Sequence, residues 1–386
     1  MKATKPALPR SLLALYPLDY PDAPSCRRAL RHWRWLVLIP LGLLLPRLAE
    51  SASYWVERIY ARDVYFSIRN AILSFTILIP FSLAELIVLS LLLLVPLGLW
   101  CALIRSFRRK SGVFLLRRLL SLGLIFGLGL HLFYITWGFH YAREPLAQRL
   151  DLEVRPRETA ELYEFVESLS KEAGHLRKQL REQDGISTYS TDIQQTLLGL
   201  SDCYRGLNYL YPAAYSGGVG RVKPILLSKA LSKAGIAGIY IGLTAEPNVN
   251  VDQPAFSIPM AGAHELAHQL GIASEDEAEF TAFLACLCSP DPFVRYSGVS
   301  GMLIRAGNAL HGADPEGYAV LYETYDPGVR RDFAFQSAYW KAYDSPVTTV
   351  AEEANDRYLR HNGQDSGIKS YGEAVDLALA WYLEQK

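Results

Sequence analysis

The sequence predicts an α-helical membrane anchor of three transmembrane helices, followed by a mainly α, α+β domain. Three observations predict it. Hydrophobic residues are 50% of the 386, yet they concentrate in 33–140, while 141–386 have ordinary globular composition. Helical spacing of apolar residues dominates the second part. Two short β-type runs, 224–227 and 238–243, sit just before a helix rich in histidine. The net charge is zero, which gives no support for a nucleic-acid partner.

The anchor is read first. Apolar spans cover about 35–48, 81–104 and 119–137. The second and third approach or exceed the length that crosses about 30 Å of hydrocarbon. The first is short and carries Pro40 and Pro46, but Trp33, Trp35, Arg31, Arg34 and Arg47 flank it as interfacial anchors. It starts too far into the chain for a cleaved leader. The tail, 1–32, is basic, and the stretch between spans two and three holds Arg105, Arg108, Arg109, Lys110, Arg117 and Arg118 without an acid. Positive residues stay in the cytoplasm. Three spans then place 141–386 outside the cytoplasm, with the lipid bilayer as a partner. The stretch between spans one and two, with mixed charges, reads as a connecting loop.

In the outer domain, 157–183 reads as an amphipathic helix through Leu162, Phe165, Val166 and Leu169. A second helix covers 191–210, and glycines 217, 218 and 220 end that pattern. Strands follow at 224–227 and 238–243, then a polar stretch to Asn250. Further helices are expected over 258–270, 275–287, 291–311, 326–342, 346–361 and 370–385. Of five cysteines, none has metal-site spacing, and they read as small buried hydrophobes.

The chemistry lies in His264-Glu265-Leu266-Ala267-His268, an H-E-x-x-H string. On a helix, residues i and i+4 share a face, so both imidazoles can reach one metal. Glu265 is turned about 100° from His264, beside the metal, where a general base would sit. Chance gives the string in roughly one such chain in a hundred. Apolar neighbours (Met260, Ala263, Leu266, Leu270) argue that these histidines face a core, where a buried pair needs partners. Gly271 supplies a helix stop and Ser274 a new N-cap. The second helix then returns acids to the pair. Glu275 and Glu279 share one face, while Glu277 points away and reads as a solvated charge. Glu275 is taken as the third ligand, and Glu279 as a group that holds an imidazole by its other nitrogen. Two histidines, one carboxylate and an open position make the pattern of a catalytic Zn2+ site, a zincin-like arrangement.

Residues 238–246 are the candidate strand against which an extended substrate would lie, with Tyr240, Gly242, Thr244, Glu246 and Asn248 as contacts. An ordinary core strand, with Glu246, Asn248 and Asn250 in a polar turn, is the alternative. Tyr296, Arg295, His311 and Tyr371 are candidates to stabilise an oxyanion, with Tyr296 preferred.

The stretch Phe256 to Tyr296, together with Gly238 to Asn250 and Gly367-Ile368-Lys369-Ser370-Tyr371-Gly372, resembles a bacterial membrane family known as domain of unknown function 3810. The second acidic motif is also similar to that of the Ste24/HtpX-type and ImmA-type peptidases. That resemblance implies His264, His268 and Glu275 as metal ligands and Glu265 as the base. Those families place Asp or Asn where this chain has Glu279.

The expected function is therefore membrane-anchored hydrolysis of peptide bonds in extracytoplasmic proteins or peptides, with a domain boundary at 140–141. A non-catalytic envelope sensor or scaffold with a structural or vestigial zinc is the alternative, and the complete motif with Glu265 argues against it. Hydrolysis of a non-protein envelope substrate is a third.

Overall fold

The structure, a computed structural model, describes residues 30–386 apart from 157, 190, 191, 216 and 365–372. The basic tail and Tyr371 with its flanking motif lie outside the described residues. The described residues form two compact units, one holding those up to Leu43 with Ser90–His131, the other Leu44–Leu89 with Leu132–Lys386.

Helix α1 (Leu38–Glu50) is followed by α2 (Ser53–Thr76), whose middle, Val56–Val64, is π-helical. Helices α3 (Leu83–Arg108) and α4 (Val113–Thr136) are both long and apolar enough to cross a membrane. The pair Trp33–Glu50 and Ser53–Thr76, bent by 86°, raises the number of candidate spans to three if it counts as one. The leucine-rich surface of α3 is exposed at Leu92 and Leu93, as a lipid-facing helix requires. The stretch after α1 is thus no loop. Its positions 57, 61, 65 and 69 are buried, four residues apart, and three of them are polar.

The second unit continues with α5 (Thr159–Arg177), the hairpin β1 (Arg181–Gln183) and β2 (Ile186–Thr188), and α6 (Ile193–Leu210). Asp184 and Gly185 both have positive φ, the geometry of a tight hairpin turn, so the helix expected to 183 ends early. Strands β3 (Lys223–Pro224), β4 (Gly238–Ile241) and β5 (Glu246–Val249) form one sheet in the order β3-β5-β4. β5 runs parallel to β3 and antiparallel to β4, in the register Gly238↔Val249 to Ile241↔Glu246. The stretch expected as a polar turn is therefore the central strand. The run 224–227 is strand only at its start; Leu226 and Leu227 are exposed.

Helices α7 (Ile258–Gln269), α8 (Glu275–Leu287), α9 (Pro292–Ala313), α10 (Pro315–Glu323), α11 (Pro327–Tyr343), α12 (Pro346–His361) and α13 (Ala374–Glu384) complete the chain. Asp291, Asp314, Asp326 and Ser345 each accept a backbone N–H at a helix start, with Pro next in sequence. The core is shared by α5, α6, α7, α8, α9 and α13, with α7 packed on α6, α8 and α9, and Phe165, Leu200, Phe256, Phe280, Phe283 and Leu303 fully buried.

Candidate metal centre

The site is built on α7 and α8, which pack side by side. Pro259 at the first turn of α7 suits its start, and Gly271 ends it. Gly271 has φ +81°, its N–H donates to His268 O at 2.8 Å, and the Ile272 N–H donates to Ala267 O at 3.2 Å. This left-handed cap turns the chain back so that Ile272 O accepts from His268 Nδ1 at 2.7 Å. A carbonyl can only accept, so His268 carries a proton on Nδ1 and turns Nε2 toward the site.

His264 is held by two carboxylates. Its Nδ1 lies 3.1 Å from Glu279 Oε2, and its Nε2 lies 3.0 Å from Glu275 Oε2. His268 Nε2 lies 3.6 Å from the same Glu275 oxygen. His264, His268 and Glu275 are all buried and each offers one ligand atom, all within 4.8 Å of one another. Glu279 is fixed in turn by Arg305 Nη2 at 2.8 Å. Burial opposes the charge of Glu275, yet the imidazoles of His268 and His264 hold it far below the usual carboxylate range. Burial opposes protonation of His264 too, yet Glu275 and Glu279 raise its pKa well above the ordinary value. An imidazole with a carboxylate on each nitrogen holds both protons unless a metal ion replaces the one on Nε2. The donor set of two imidazole nitrogens and one carboxylate suits zinc.

Glu265 stands beside this cluster. It is buried, its Oε2 has no hydrogen-bond partner, and burial pushes its carboxyl up to about 7 against His268 and His264. Gly238, the first residue of β4, makes room for it: a Cβ there would fall 2.6 Å from Glu265 Oε1. Among the described residues β4 pairs only with β5, so it is the sheet edge on that side.

Several expected contacts lie elsewhere. Glu246 is buried in an ion pair with Lys223 and accepts the N–H groups of Leu83 and Ala84 at 3.2 and 2.8 Å. Asn248 donates to Ile239 O and Glu246 O, and Asn250 to Ser232 Oγ and Ile236 O. All three side chains are directed into the sheet and its flanking loops, Glu246 and Asn248 from the central strand β5. Thr244 is buried in the turn between β4 and β5. Gly242 lies against Trp137, and the Tyr240 hydroxyl is 3.1 Å from that of Tyr65.

Tyr296 is also away from the cluster. Its hydroxyl donates to Asp332 at 2.7 Å, where Arg177 and Ser187 converge too, so the ring anchors the core. Arg295 caps Ser289 O and Pro290 O, and His311 packs on Tyr318. Glu277 is not solvated: it accepts the Leu146 N–H at 2.5 Å and faces Arg149. Ser274 occupies the N-cap of α8 but makes no cap bond; it accepts from Gln364 at 2.6 Å.

The residues not anticipated bind the C-terminal carbonyls of α7. Trp137 Nε1 donates to His268 O at 3.1 Å. Tyr65 Oη and Arg69 Nη1 donate to Gln269 O at 2.8 and 3.0 Å, and Arg143 Nη1 to Gly271 O at 2.9 Å. These groups satisfy a helix end that would otherwise be buried without partners. Two are cations at the negative end of the helix dipole. Tyr65 and Arg69, one helical turn apart within 53–76, were the available signal.

This buried, carboxylate-rich helix pair belongs with a recognised family. The chain is a member of the family described as Protein of unknown function (DUF3810), whose sequence profile matches residues 60–379. No curated protein and no solved structure matches the chain.

Proposed function

We propose that this chain is a membrane-anchored, zinc-dependent metallopeptidase that hydrolyses peptide bonds of extracytoplasmic proteins or peptides. The observation that carries the reading is the convergence of His264, His268 and Glu275 within 4.8 Å, beside a Glu265 carboxylate oxygen with no partner. A structural site has no use for that carboxylate. Zn2+ held by the three residues would supply Lewis acidity at the scissile carbonyl and acidify a coordinated water.

Glu265 takes a proton at its free oxygen and passes it to the leaving amine. His268 is oriented by Ile272 O, and His264 by Glu279 and Arg305. The edge of β4 holds the substrate extended by strand addition, with Gly238 allowing it close to Glu265. The Lys and Arg distribution favours an extracytoplasmic site.

Purified wild type and Glu265→Gln, compared for zinc by elemental analysis and for cleavage of a panel of envelope proteins, test the reading. Equal zinc with cleavage reduced by about 10²–10⁴-fold is expected. Equal cleavage by both proteins would overturn it. A reporter fused after residue 386 tests the side of the membrane, and cytoplasmic activity would reverse the assignment.

A further inference from the structure

We propose that α2 lies on the surface of a phospholipid bilayer, and that the site acts on polypeptide segments tethered at that surface. The substrate class rests on the peptidase reading; the placement of α2 does not.

Helix α2 has two different faces. The inner one is buried at Glu57, Ala61, Tyr65 and Arg69, and it grips the end of α7 through Gln269 O. The outer one exposes Tyr54, Trp55, Ile59 and Phe75, the last to 74%. The guanidinium of Arg58 sits 5.6 Å over the Tyr54 ring. Aromatic rings mixed with arginine suit the headgroup layer, where rings bury their apolar part and cations meet lipid phosphate. The geometry agrees, because the apolar segment Trp33–Glu50 meets Ser53–Thr76 at 86°. A first segment along the bilayer normal leaves α2 in the bilayer plane.

The apolar helices also join the sheet and α7 directly, with no linker between. The first N–H groups of α3, at Leu83 and Ala84, are capped by Glu246 of the central strand. Trp137, next after α4, donates to His268 O. Glu246 is paired with Ile241 of the edge strand. Strands lie about 4.8 Å apart, so a chain added to β4 sits on the order of 10 Å from Glu246, across two strand spacings. Each extended residue covers about 3.4 Å, so a few residues beyond a lipid anchor reach the site.

The test places a polarity-sensitive fluorophore on a cysteine at Phe75, Leu243 or Val320, one at a time, in the full chain. The protein is reconstituted in vesicles of phosphatidylethanolamine and phosphatidylglycerol with nitroxide lipid. Strong quenching at Phe75, weaker quenching at Leu243 beside β4, and none at exposed Val320 are expected. A Phe75 probe as unquenched as Val320 would overturn the placement, including when a second copy or another protein keeps it dry.

A second arm offers one cleavable peptide with and without a lipid anchor in the same vesicles. Cleavage at least about tenfold faster for the anchored form is expected from its raised local concentration. Equal rates would overturn the substrate class. Cleavage of neither, with Phe75 quenched, would end the peptidase reading and its substrate class while the bilayer placement stands.

Discussion

Helices α7 and α2 meet at one point, yet their sequences carry opposite kinds of information. Helix α7 holds its chemistry in five consecutive residues, and its His, Glu and Gln side chains are buried among apolar neighbours. Helix α2 buries Glu57, Tyr65 and Arg69 and exposes Trp55, Ile59 and Phe75. The lesson is that ligand identity is local, whereas ligand orientation is not. His268 is held through Ile272 O four residues away, and its own carbonyl through Trp137, more than a hundred residues upstream.

The comparison can be broken from the α2 side first. Arg69→Ala leaves Gly218 O and part of the Gln269 O demand unmet inside the fold. A loss of about 2–4 kcal/mol is expected in denaturant unfolding, with zinc still bound. A loss under about 0.5 kcal/mol, the size of an ordinary surface change, would mean that α2 does not brace α7. Gly271→Ala comes next. The position has φ +81°, and a Cβ there would lie 2.4 Å from His140 Cε1. About 1–3 kcal/mol should be lost. Because Ile272 O moves too, zinc affinity should fall about tenfold in a chelator competition.

Tyr296→Phe sharpens the comparison by removing a hydroxyl from neither helix. It should cost about 1 kcal/mol of stability and leave kcat unchanged. An oxyanion donor would instead show a loss on the order of 10²-fold. The smallest effect is at Asp252, which accepts from Tyr339 and Tyr343 of α11 and from Ser232. Burial raises its pKa, but those hydrogen bonds outweigh burial and leave it lowered. A lowered carboxyl stabilises the fold above its unfolded pKa and ceases to do so as pH falls through the folded value. The Tm difference between wild type and Asp252→Asn should therefore shrink between about pH 5 and pH 3.

The legibility of the molecule follows the same division. The stop at Gly271, the facing of Glu275 and Glu279 and the long apolar helices α3 and α4 could be read because each rests on local spacing. Helix α2 could not, since it buries Glu57, Tyr65 and Arg69 and exposes Trp55, Ile59 and Phe75, against the pattern that marks a soluble helix. Strand β5 was hidden because Glu246-Pro247-Asn248 has turn composition, and pairing on both sides overrides that preference. Two signals were present and unused: Asp184-Gly185 for the hairpin, and Asp314-Pro315 for the start of α10. Tyr296 is not legible in this way, because closeness in sequence to α8 says nothing of the Asp332 carboxylate that holds it.

The central claim is that His264, His268 and Glu275 together hold one metal ion while Glu265 does not. Metal content per chain, measured by elemental analysis on wild type, His268→Ala and Glu265→Gln purified side by side, tests it most directly. About one zinc is predicted in wild type and in Glu265→Gln, and none in His268→Ala, since a catalytic site relies on three protein ligands. Wild type without metal, or His268→Ala holding as much as wild type, would contradict it.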